Sequence, residues 1–144
     1  MPRYSVLKSV AHNFAHSFVS VMNQVGNDTT MCHLVRRSRR TRRRVFRVDV
    51  LKRSLGPTDL VTTRIARAVG SYCDDFGRLI TRGGAALDMV SQARLVVRIA
   101  HGRVIGAPSR QLHARITAEM TIVDDRGKVH LGSHTEDYVC APPR

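Results

Sequence analysis

Residues 112–138 read LHARITAEMTIVDDRGKVHLGSHTEDY, and this stretch decides the fold. Leu112 to Val123 reads as one long strand, Asp124-Asp125-Arg126-Gly127 as a strong turn, and Lys128 to Tyr138 as the returning partner strand. The adjacent acids of this turn are explained by their own backbone hydrogen bonds, without a catalytic role. Upstream, Ala93 to Ala100 reads as a further strand, followed by His101-Gly102. Farther back, Val45 to Leu51 alternates, with Phe46, Val48 and Val50 facing one way and Arg47 and Asp49 the other, as in a half-buried strand.

The N-terminal part has a different period. Val6, Val10, Phe14, Phe18 and Met22 step by four, and Leu7, Ala11, Ala15 and Val19 widen the same face, which predicts a helix over residues 4–23. A strand is the rival reading, since it would use the valines, but strict alternation mixes Lys8, His12 and His16 with apolar residues. Gly26, Asn27 and Asp28 break the chain, and Asn27 or Asp28 can cap a second helix that buries Met31, Leu34 and Val35. Leu55-Gly56-Pro57-Thr58 is a turn. Leu60 to Ile80 carries a third apolar stripe, closed by Gly83-Gly84, and Ala85 to Val90 adds a short helical turn. Residues 141–144 read as a frayed tail. The expected class is α+β: a single domain over residues 1–144, with N-terminal helices packed on an antiparallel sheet of three to four strands and a C-terminal β-hairpin.

Eight arginines fall between residues 36 and 47: Arg36, Arg37, Arg39, Arg40, Arg42, Arg43, Arg44 and Arg47. No packed core absorbs that much like charge, so the segment is expected as an exposed connector, either the polar end of the second helix or a loop leaving it. With Lys52 and Arg53 it supplies a net +9 of the chain's +13, so most of the imbalance is local and implies a site. Arginine suits bidentate contact with phosphate. These ten residues are the candidate contacts to RNA or DNA, held by salt-sensitive electrostatics. Base-specific readout is not expected, because no reading motif is present and aromatic residues make up only 5% of the chain. An acidic protein partner and self-association through the hairpin edge or sheet face are the alternatives.

Signals for catalysis are weaker. His12 and His16 stand four apart, a spacing that can chelate a metal with a third ligand from Asp28, Cys32 or His33. A metal-dependent hydrolase or nuclease would be built there, yet no glutamate lies between the two histidines. Asp74-Asp75 are adjacent acids that point apart on a helix. No nucleophile elbow accompanies Ser17 or Ser20, and the glycines form no phosphate-binding loop, so no catalytic residue and no cofactor is assigned. Cys32, Cys73 and Cys140 are widely spaced and odd in number. They are expected as reduced thiols of a cytoplasmic protein, with Cys73 packed in the core. No apolar run approaches the roughly 18 residues of a membrane span. Residues 1–27 hold no acid and are amphipathic, in the manner of an organellar presequence, but two basic residues give that pattern little charge.

Overall fold

The computed structural model describes residues 3–23, 30–51, 54–55, 76–106 and 110–140. A 3-10 turn, Arg3–Val6, leads into helix α1, Leu7–Asn23, and α2 follows at Thr30–Thr41. Strands β1, Val45–Asp49, and β2, Ser54–Leu55, come next. Helix α3 is Phe76–Arg82, and a 3-10 turn, Leu87–Met89, opens the run β3, Val90–His101, β4, Leu112–Asp124, and β5, Val129–Cys140. The sheet is antiparallel in the order β2-β1-β3-β4-β5. The α+β reading is therefore right. Val45–Asp49 is the fourth full strand, and the two-residue β2 extends it at the edge. The expected helix cap at Asn27 or Asp28, the turn at residues 56–58, the stripe before Phe76, Asp74-Asp75, Cys73 and the tail at 141–144 lie outside the described residues.

Packing follows the two periods. The buried face of α1 is Leu7, Val10, Ala11, Phe14, Ala15, Phe18 and Val19, the stripe read from the sequence. It lies across β4 and β5, whose inward residues Ala114, Ile116, Ala118, Met120, Ile122 and Tyr138 are buried. Phe46, Val48, Leu95, Val97 and Ile99 continue the core across β1 and β3. Phe14 meets Phe76 of α3 edge to face, with ring centroids 5.6 Å apart. Gly132 is what lets α1 sit so low on β5, because a Cβ there would strike the backbone of Ala11 and His12. Tyr138 Oη donates to the Val19 carbonyl at 2.7 Å, tying the end of β5 to α1. Burial pushes that phenol well above its ordinary range.

Turns close the elements as the sequence predicts, with one addition. Helix α3 ends in a Schellman motif, with Ala85 N donating to Ile80 O and Gly84 N to Thr81 O, and Gly84 holding φ at 84°. In the β4–β5 turn Asp124 Oδ1 accepts from the backbone N–H groups of Arg126 and Lys128, both at 2.9 Å. The addition is His130, whose Nε2 lies 2.9 Å from Asp124 Oδ2 in a buried pair. That contact, followed by the two backbone donors, holds the Asp124 carboxyl below its ordinary range.

The outer face of the sheet is polar. Arg98 pairs with Glu119 and Arg115 with Asp137, each at 2.9 Å, and Thr117 and Thr135 share a hydroxyl bond at 3.0 Å. On the edge strand β5 that face also exposes Val129, Leu131 and Val139. Among the described residues no helix is long and apolar enough to cross a membrane.

Cys32 and Cys140 form a disulfide, with Cα atoms 5.8 Å apart. The expectation of reduced thiols is corrected for these two residues. The two residues are 108 positions apart, and only the return of β5 to the start of α2 brings them together, a proximity that spacing along the chain does not carry.

Candidate anion-binding site

Helix α2 lies over one end of the sheet. Its first turns are bonded to the end of β5 through Cys32–Cys140. Farther along, Ser38 Oγ lies 3.1 Å from His101 Nε2 at the end of β3. Leu34, Val35 and Ser38 are buried, while Arg39 and Arg40 are exposed in the last turn. The arginine cluster therefore combines the two placements its sequence allows, with Arg36, Arg37, Arg39 and Arg40 at the end of the helix, Arg42, Arg43 and Arg44 in the segment leaving it, and Arg47 already in β1. The helix stops at Thr41, and Arg42 adopts φ of 59°, the left-handed region that favours glycine. Arg43 and Arg44 then lead into β1, where the Arg44 carbonyl accepts from Ile99 N at 2.8 Å.

This corner faces the β3–β4 connection across a cavity of about 600 Å³. Ser38, Arg39, Arg42 and Arg44 line one side, and His101, Gly102, Arg103, Gln111 and His113 the other. The second wall is fixed by the sheet: Gly102 N donates to the His113 carbonyl at 3.4 Å, and Val104 N donates to His113 Nδ1 at 2.8 Å. Four arginines line it, and among the described residues no lining residue is acidic and none of the four takes part in an ion pair. Burial first, then the charges of Arg44 and Arg39, hold the His101 imidazole below its ordinary value. The positive lining thus comes from the arginines, with a neutral Ser38–His101 pair beneath them at neutral pH. Ser38 sits at the floor of the cavity, at 0% exposure, with its hydroxyl engaged by His101.

The sequence-predicted residues divide into groups. Arg39, Arg42 and Arg44 enter the cavity. Arg40 is exposed, Arg36, Arg37 and Arg43 are half-buried, and none of these four lines it. Arg47 points from β1 to the outer sheet face, on the other side from Phe46 and Val48. Lys52 and Arg53 lie outside the described residues. Sequence reasoning missed His101 and His113, which stand at the facing ends of β3 and β4, and Arg103 and Gln111 in the connection between them, whose composition carries no signal.

The two helix histidines meet a partner that their spacing does not reveal. His134, an inward position of β5, brings its ring centroid to 4.4 Å from His16, while His12 and His16 are 6.4 Å apart. His134 Nε2 is engaged by Glu136 at 2.9 Å. Asp28 and the His33 side chain lie outside what is described. Cys32, the remaining candidate ligand, is bonded to Cys140. Among the described residues no three His, Cys, Asp or Glu side chains are arranged to hold a metal ion. No protein-family model matches the chain, and no curated protein or solved structure resembles it, so function is argued from the geometry of the basic cavity.

Proposed function

We propose that this protein binds nucleic acid, RNA or DNA, through the basic cavity at the end of its sheet, without base-specific readout. One observation carries the reading. Arg39, Arg42 and Arg44 of the clustered segment line one concave surface with the distant Arg103, and no acid lines it among the described residues. Guanidinium groups assembled this way, without internal counter-charges, suit phosphate oxygens, which accept paired hydrogen bonds from the arginine fork. Among the described residues no Phe, Tyr or Trp lines the cavity, and its two imidazoles, His101 and His113, are engaged by Ser38 and by Val104 N, so stacking on bases is not part of the mechanism. Phosphate contacts hold the ligand, and counterion release supplies most of the free energy.

The test is fluorescence anisotropy with a labelled single strand at a series of salt concentrations. Affinity is expected to fall linearly on a log–log plot, by about 0.7 decades per decade of salt for each phosphate engaged. Binding that is absent at low salt, or indifferent to salt, sinks the proposal.

A further inference from the structure

The lining of the cavity says more than that phosphate binds; it says which kind of phosphate fits. We propose that the cavity is a phosphomonoester site, taking the terminal phosphate of a polynucleotide or of a free nucleotide in preference to an internal phosphodiester. The inference rests on the polyanion reading of the same cavity and deepens it.

Three features carry it. The first is shape. A strand bound along its length is served by cations strung along a surface track. Here Arg39, Arg42 and Arg44 on one wall face Arg103 on the other, across a cavity of about 600 Å³. That volume lies within the ~300–1,000 Å³ of small-ligand sites. Four arginines gathered round one such depression suit a single compact anion more than a run of phosphates.

The second is charge. A phosphomonoester carries about −1.5 to −2 at neutral pH and three terminal oxygens, whereas an internal diester carries one charge and two such oxygens. Four guanidinium groups in one cavity oversupply a diester. They match a dianion whose three oxygens can each accept from more than one donor. Gln111 adds a neutral amide donor to the same lining.

The third is what the cavity lacks. Among the described residues its lining has no carboxylate to repel the anion or to hold a ribose hydroxyl, and no Phe, Tyr or Trp ring to read a base, its two imidazoles being engaged by Ser38 and by Val104 N. The site is therefore one of recognition, with the sugar and base left outside.

The experiment compares one single-stranded oligonucleotide, labelled at its 3′ end, with either a 5′-phosphate or a 5′-hydroxyl. The 5′-phosphorylated strand is expected to bind about tenfold tighter, the size of an added charge-assisted hydrogen bond. Arg103→Glu, and the milder Arg103→Gln, are expected to remove that preference, because Arg103 supplies the wall opposite the clustered arginines. A nucleoside 5′-monophosphate is expected to compete where the nucleoside does not. Competition as strong as that of the phosphorylated strand assigns the site to free nucleotides, and weaker competition assigns it to polynucleotide ends. Equal affinity for the two strands, with salt-dependent binding retained, overturns the phosphomonoester site and leaves the polyanion reading standing. A preference that survives both Arg103 variants also overturns it. Failure of both strands to bind overturns the two readings together.

Discussion

Arg42 holds a backbone angle that its side chain does not favour. At φ of 59° it occupies the left-handed position after α2, where glycine is usual. The strain is about 1–2 kcal/mol for a residue with a Cβ. The Arg42 side chain lines the cavity, which gives the strained position something to do beyond closing a helix. Stability and binding should therefore separate at this residue. Arg42→Gly relieves the strain but adds roughly 0.5–1 kcal/mol of unfolded-state entropy, so stability should stay level or rise by up to about 1 kcal/mol. The same change removes one of four cavity cations and should weaken oligonucleotide binding by several-fold to about tenfold. Arg42→Ala keeps the strain and loses the charge, so it should match the binding defect without the gain in stability. Denaturant melts beside anisotropy titrations separate the two effects, and a clear loss of stability in Arg42→Gly would show that the side chain serves the fold instead.

Helix α2 forms a wall of the cavity only because two bonds fix it to the sheet, one toward each end. The disulfide Cys32–Cys140 holds its start, and Ser38–His101 holds its later turns. In the chain-entropy account, a cross-link between residues 108 apart contributes about 4–5 kcal/mol, and typical measured values are ~2–4 kcal/mol. Cys140→Ser is expected to lower stability by a few kcal/mol and to weaken polyanion binding as the wall loosens. Reductant should reproduce that loss in the native sequence and add nothing to the variant. A melting curve unchanged by reductant would mean that the two thiols do not pair in solution.

The same element marks how far the sequence was legible. The stripe from Leu7 to Val19, the alternation from Phe46 to Val50 and the Asp124 turn were readable, because each is a local pattern set by helix or strand period. The arginines were readable as a charged surface segment, because their charge has no place in a core. Cys32 with Cys140, Ser38 with His101 and Arg42 with Arg103 were not, because strand order and the crossing of α2 over the sheet end create those contacts. His134 beside His16 escaped for the same reason: its inward place on β5 follows from the register, and its neighbour from where Gly132 lets the helix settle.

Across the whole molecule the net charge of +13 could act as a diffuse attraction or through one site. The arrangement of the pairs favours the site. On the outer sheet face Arg98 and Arg115 are matched by Glu119 and Asp137, whereas no acid among the described residues lines the cavity. The two views differ in what an equal change of charge should do. Arg47→Glu with Arg94→Glu, both on exposed outer-face positions, alters the net charge as much as Arg42→Glu with Arg44→Glu. Screening limits the reach of an exposed charge to about 10 Å at 0.1 M salt. The outer-face pair should therefore leave affinity within about twofold at that ionic strength and the salt slope unchanged. The cavity pair should abolish tight binding and flatten the salt dependence of whatever binding remains. Equal losses from the two double variants would mean that the protein attracts polyanions by its overall charge, with the placing of the four arginines round one cavity incidental to it.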